Sequence, residues 1–309
     1  MMRASSGQAT DKPVLKPFTA RDGENLALYE WPARAPSVDQ ALPLRAVVLM
    51  VHGLGEHANR YAHVAHQLLD WGFAVRAYDQ RGHGESGGVR GGLSSEALLL
   101  EDLAEVVDDT RLRSQRLSRA AGVAQAPEPL PLILLGHSLG GLVASRFVSL
   151  KIRPIEGLVM SSPALDPGLN KVQKFLLRFL PAVAPNFRIN NGLKPEYISH
   201  DPQVVREYKA DSLVHAQISA RLAKFIATAG PATVAAASAW TTPTLLMYAG
   251  EDKLVNPAGS RAFAESAASH GGASVVTSKC FADLYHEIFN ELDPAPVFAS
   301  LKAWLDARF

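Results

Sequence analysis

Cysteine is nearly missing from this chain: one residue, Cys280, in 309. A single thiol excludes an internal disulfide and any metal site built from several cysteines. Its surroundings, "SVVTSKCFADLY", lean apolar, so Cys280 is expected to be a small buried hydrophobe rather than a reactive thiol. Neither sign of charge is in excess. The 31 Lys and Arg against 30 Asp and Glu leave a formal net charge of +1, which gives nucleic acid no reason to bind. No run of about 18 apolar residues occurs, so nothing reads as a membrane span. The start, "MMRASSGQATDKP", lacks the apolar stretch of a secretion signal. A soluble, cytoplasmic protein is the expectation, with residues 1–12 as a disordered tail. Internal repeats and low-complexity tracts are also missing.

What is present is a chain that is 47% hydrophobic and long enough for one large core carrying an insertion. Apolar runs bounded by turn residues predict strands over 45–53, 73–80, 130–138, 155–162 and 242–252. Helical patterns lie between them. "RYAHVAHQLLDWG" stops at Gly72, and "SSEALLLEDLAEVVDDTRLRSQRL" opens on serine with Glu96 close behind. Leu142, Val143, Phe147 and Val148 fall on a helical spacing after Ser138. The C-terminal "PAPVFASLKAWLDARF" opens on prolines and keeps an apolar stripe. Continuous rather than alternating apolar strands are buried on both faces, which makes the sheet mainly parallel. "VLKPFTARDG" and "ENLALYEW" read as a hairpin around Asp22-Gly23, adding antiparallel strands at one edge.

The alternation breaks between residues 163 and 240, which read as helices without a convincing strand. "LNKVQKFLLRFLPAV" sets Leu169, Val172, Phe175, Leu176, Phe179, Leu180 and Val183 on one face and Lys171, Lys174 and Arg178 on another. "SLVHAQISARLAKFIATAG" reads as a second helix ending at Gly230. The segment is therefore a helical cap inserted in a core formed by 13–162 and 241–309. An apolar face opposite basic residues also suits transient contact between the cap and a membrane surface.

The chemistry begins at "LPLILLGHSLGGLVASRFV", a buried strand running into Gly136-His137-Ser138-Leu139-Gly140 and then a helix. G-x-S-x-G in that context is a nucleophile elbow, the flanking glycines leaving room for a sharp turn. The following helix adds free N–H groups and the positive end of its dipole beside a developing oxyanion. A serine hydroxyl needs a base, and the base needs an orienting acid. In this architecture the order is Ser, acid, His, each after a strand. "TPTLLMYAGEDKLV" offers Glu251 or Asp252. Downstream stand His270, in the polar turn "SHGGAS", and His286, which follows the last strand and is the better placed base. "HEIFN" fails as a zinc motif because Asn290 stands where the second histidine is needed. Metal and cofactor are both absent from the expectation. Oxyanion donors are expected from the N–H groups of Leu139 and Leu54, the latter in the loop after "AVVLMVHG". His52, Asp79, Arg81 and His83 read as loop-bracing groups.

Taken together, "HGLGEHANRY", "YDQRGHGES", "GHSLGG", "AGEDKLV" and "YHEIFNE" resemble the α/β-hydrolase superfamily, and within it the monoacylglycerol lipase and lysophospholipase group. "HDPQVVREYKADSLV" carries the resemblance into the cap. The resemblance implies an α/β fold with a mostly parallel eight-stranded sheet flanked by helices, and a helical cap. It also implies a triad of Ser138, Asp252 and His286. Glu56, Arg60 and Tyr208 would then shape a pocket for a glycerol head group, and Phe175 and Phe179 would line an acyl channel. The implied ligand is a small lipid ester. One departure is Ala282-Asp283, where a Pro-Gly pair is common before the histidine. A proline-iminopeptidase-like enzyme would need acidic cap residues for a free amino terminus, and the first cap helix is basic instead. Dehalogenases and epoxide hydrolases need an aspartate at position 138. A non-catalytic binding protein on this fold would commonly have lost a triad member.

Overall fold

Runs that are mostly apolar become strands with every residue buried. They are β3 (Ala46–Val51), β5 (Leu132–His137), β6 (Gly157–Ser161) and β9 (Thr244–Ala249). The computed structural model describes residues 12–31, 44–120, 130–168, 179, 181–269 and 275–309, without the side chains of 116–120. The expected tail up to residue 11, most of the first cap helix with Phe175, and His270 lie outside the described residues. With β1 (Val14–Thr19), β2 (Asn25–Trp31), β4 (Phe73–Tyr78) and β10 (Val276–Phe281), those four strands form one eight-stranded sheet. The order is β1-β2-β4-β3-β5-β6-β9-β10. The β1–β2 hairpin and the β2–β4 pairing are antiparallel, and the rest of the sheet is parallel.

Alternate residues of each central strand feed two separate cores. Val47, Leu49 and Val51 of β3 join Leu132, Leu134, Leu158 and Met160 on one face. Ala46, Val48 and Met50 join Ile133, Leu135, Val159 and Met247 on the other. The first face is covered by α2 (Leu98–Ala120) and α3 (Leu139–Ser149), the second by α1 (Ala62–Asp70). Burial on both faces is why these strands lack polar alternation.

Two expectations about residues 163–240 are corrected. The segment does contain strands: β7 (Arg188–Asn190) pairs antiparallel with β8 (Gln217–Ser219). Three-residue strands with a solvent-facing β7 carry no apolar pattern to read. The second helix also does not stop at Gly230. After α4 (Pro202–Ala210), α5 runs Ala220–Ala236 with Pro231 inside it. It starts where the Ser219 side chain accepts the Leu222 N–H. Gly230 is needed because a side chain there would strike the Leu165 backbone. By composition the stretch 220–239 could cross a membrane, yet α5 buries Leu222, Phe225, Ile226 and Ala229 in the first core, against α3. The chain closes with α6 (Pro257–Ala268) and α7 (Ala295–Asp306).

Cys280 is a third correction. It is exposed, because β10 is an edge strand whose four inner residues face solvent.

Five histidines, His52, His63, His83, His137 and His215, titrate below their ordinary value because burial penalises the imidazolium. His52 is pushed down to about 3. The unfolded chain therefore takes up the extra protons below about pH 6.5. Stability is full above that value and is lost as pH falls toward the folded pKa values. The melting temperature should drop steadily from about pH 7 to about pH 5.5, before most carboxylates titrate. A flat profile over that window contradicts the buried neutral assignment.

Candidate active site

Ser138 is the first residue past β5 and caps α3, with φ 52° and ψ −117°. A non-glycine residue there is strained by about 1–3 kcal/mol, and the surroundings must hold it. They do so through the backbone: Ser138 N–H donates to Ser161 O at 2.9 Å, and Ser138 O accepts from Leu142 and Ala164, each at 3.0 Å. The glycines of the motif are required by contact. A side chain at Gly136 would strike Gly140, and one at Gly140 would strike the Val51 and His52 carbonyls. The helix thus starts hard against the end of β3. Leu139 is its first residue, so its N–H has no acceptor within the helix.

The candidate acid and base come from neighbouring strand ends. Asp252 follows β9 and His286 follows β10; His286 Nδ1 donates to Asp252 Oδ2 at 2.6 Å, with side chains only 6% and 3% exposed. Asp252 Oδ1 accepts the N–H groups of Leu254 and Val255, both at 2.9 Å. Glu251 is exposed, and of the two adjacent carboxylates it is Asp252 that meets His286. Burial lowers the His286 pKa, but the Asp252 carboxylate outweighs it, helped by Glu287 and Glu56, and the imidazole titrates above its ordinary value. The bond to Asp252 fixes the tautomer, leaving Nε2 unprotonated as a base.

Ser138 and His286 line one pocket together with Leu54 and Glu56. Leu54, Leu193, Pro195, Ile198 and Leu254 are its apolar lining, and Tyr208 and Glu287 add polar lining. Tyr208, on α4, is reached by Arg60 from outside the cavity, the guanidinium lying 4.6 Å from the ring centroid. Glu56 and Arg60 were expected to meet a head group, but their bonds go to protein. Glu56 accepts from Gly53 N–H, the Tyr61 hydroxyl and Arg60. Arg60 also forks onto Glu287. Phe179 is 52% exposed and is not among the cavity-lining residues; it adjoins a stretch that faces solvent through Ala182 and Val183.

Sequence reasoning missed Glu287 and His137. Glu287 stood in "YHEIFNE", weighed only for zinc, next to the base it adjoins. The His137 ring packs edge-on against His286 with centroids 4.7 Å apart. Its place as the x in G-x-S-x-G was the available signal. The bracing groups meet the backbone. Gln80 N–H donates to His52 Nε2 and the His52 Nδ1 bonds Gly53 O, while Asp79 accepts from Ala58 N–H, Glu85 N–H and Tyr29. Among the described residues no cluster could hold a metal ion.

An open sheet that carries its serine on a strained turn after β5, with an aspartate–histidine pair two strands away, is the build of a serine α/β-hydrolase. Residues 43–293 match the family described as "Serine aminopeptidase, S33", and the chain belongs to that family. It is 35% identical to the monoacylglycerol lipase of Mycolicibacterium smegmatis over 84% of this chain and 88% of that protein. The crystal structure of Paleococcus ferrophilus monoacylglycerol lipase is 28% identical, covering 96% of this chain and all of that one, with a TM-score of 0.73. A soluble variant of monoglyceride lipase from Saccharomyces cerevisiae, solved with a substrate analogue, reaches a TM-score of 0.82 over 100% of this chain and 99% of that one. At 23% identity it speaks for the fold alone.

The raised His286 pKa has a kinetic consequence. A base must be unprotonated to act, so the acid limb of kcat/KM against pH should have its midpoint above about 6.5. Asp252→Asn removes the group that holds it up, and the limb should move to lower pH. A limb that stays put in the variant contradicts the pairing.

Proposed function

We propose that this chain hydrolyses carboxylic esters of lipids, with monoacylglycerols as substrates, through an acyl-enzyme on Ser138. The observation that carries the reading is an Asp252–His286 pair whose histidine lines one pocket with a strained elbow serine. Ser138 Oγ attacks the ester carbonyl while His286 Nε2 takes its proton. The N–H groups of Leu54 and Leu139 stabilise the oxyanion. The imidazolium then protonates the departing glycerol oxygen, and water repeats the sequence on the acyl-enzyme. Asp252 orients the ring and stabilises its cation throughout.

The division of the cavity supports the substrate class. Five apolar side chains in its lining suit an acyl chain. Tyr208 also lines it, and burial and Glu56 push its pKa up, so its hydroxyl stays a neutral donor. The relatives named above as monoacylglycerol lipases support the same choice. An aminopeptidase would need a free carboxylate for a substrate ammonium, whereas the acidic residues lining this cavity, Glu56 and Glu287, are both held by Arg60. Exposed Val183, Phe187 and Ile189, with Arg188 among them, support a cap (163–240) that rests on a lipid surface.

Ser138→Ala or His286→Ala should lower kcat by roughly 10⁴-fold or more with the fold intact, and Asp252→Asn somewhat less. Near-normal turnover in Ser138→Ala sinks the mechanism. For the head group, Tyr208→Phe should slow a monoacylglycerol about tenfold relative to a p-nitrophenyl ester of the same acid, as loss of one buried hydrogen bond does. An unchanged ratio of kcat/KM values leaves a general carboxylesterase.

A further inference from the structure

Arg60 is buried between two carboxylates from distant parts of the chain. Its Nη1 lies 2.6 Å from Glu56 Oε2 and 2.7 Å from Glu287 Oε1, and Nη2 lies 2.8 Å from Glu287 Oε2. The arginine, Glu56 and Glu287 side chains are 10%, 4% and 4% exposed. Burial opposes the guanidinium charge, but Glu287 and Glu56 outweigh it and keep Arg60 protonated. A buried cluster of this kind is a poor way to gain stability, since apolar residues of similar volume commonly do as well. What it does supply is direction, because a planar fork fixes both partners at once.

The partners are informative. Glu56 Oε1 accepts the Gly53 N–H at 2.5 Å and the Tyr61 hydroxyl at 2.8 Å. Gly53 immediately precedes Leu54, so the carboxylate holds the peptide unit next to the one that carries the proposed oxyanion donor. Glu287 immediately follows His286. Its N–H donates to Ile198 O at 2.8 Å, and its Oε2 accepts from Asn290 at 2.7 Å. Arg60 is not itself a wall of the cavity, and the Tyr208 ring lies against it.

We propose that Arg60 is a positioning residue for the hydrolysis: through Glu56 and Glu287 it locks the loop bearing the Leu54 N–H to the loop bearing His286. The base and the oxyanion donor are then held in one register although they leave the sheet at different strands. The inference rests on the ester-hydrolase reading above, with Leu54 as an oxyanion donor. It replaces a head-group role for the Glu56–Arg60 pair. Losing the lock displaces groups that act on the carbonyl, which every ester shares.

The test compares Arg60→Ala, Arg60→Lys and Glu287→Gln with the unaltered enzyme on a monoacylglycerol and a p-nitrophenyl ester of the same acid. Rates are taken per active site, counted by complete labelling with a fluorophosphonate. Arg60→Ala should lower kcat about 100-fold on both esters, the scale of a lost oxyanion donor, with KM within about twofold. Arg60→Lys keeps the charge without the fork and should recover about tenfold of that loss. If the alanine variant does not fold, the lysine and glutamine variants read the same division between kcat and KM. A loss confined to the monoacylglycerol, or one seen in KM, assigns the pair to substrate binding and overturns the proposal. Normal turnover per labelled site with a lower melting temperature reduces Arg60 to packing and overturns it too. Failure of the underlying reading is separate: it shows in the unaltered enzyme as no ester turnover, or in Ser138→Ala as turnover retained.

Discussion

Nothing larger than a hydrogen atom fits at position 140, and the site depends on that constraint. A side chain there would meet the Val51 and His52 carbonyls at the end of β3, so the first turn of α3 lies directly against the neighbouring strand. That contact brings the loop 52–55 beside the helix N-terminus, which is where the two proposed backbone donors would converge on one oxyanion. It also sets the strain at Ser138. The residue sits at φ 52° because strand, turn and helix must reverse within two residues, and hydrogen bonds to Ser161 and Ala164 on the β6 side hold it there. The site lies at the carboxyl ends of β3 and β5, where the chain departs to opposite sides of the sheet. Open parallel sheets leave a crevice at such a switch point.

Charge around the crevice is arranged rather than abundant. The chain carries a formal net charge of only +1, yet Asp252, Glu56 and Glu287 all bear on His286 and Arg60 is the cation among them. Two carboxylates are thus kept near a base whose positive form they favour, which suits an imidazolium that must form and then return its proton. The cost of burying them is offset by Arg60 and by N–H donors to each carboxylate.

How much of this was legible in the sequence depended on local pattern. The central strands could be read because both faces are buried, so Val47 to Val51 or Leu132 to Leu135 leave no polar position. The hairpin at Asp22-Gly23 could be read from its turn, and Gly23 has φ 90°. β7 and β8 could not, since three-residue strands pair only with each other and carry no apolar run. Cys280 was misjudged because a stretch of β-branched residues looks the same at the centre of a sheet and at its edge. At the site, the spacing from Ser138 to His286 named the elements, whereas the choice between Glu251 and Asp252 needed the turn after β9. Arg60 and Glu287 stand 227 positions apart. No local pattern can pair them, and neither "HGLGEHANRY" nor "YHEIFNE" says alone that its charge is buried.

The account stands on covalent chemistry at one hydroxyl. The direct measurement is peptide mass mapping of enzyme quenched in acid while turning over an ester whose acyl-enzyme is slow to hydrolyse. The account predicts an added acyl mass on the peptide containing Ser138, and none on the Ser138→Ala protein under the same conditions. Turnover with the acyl mass on another residue, such as the exposed Cys280, would contradict it.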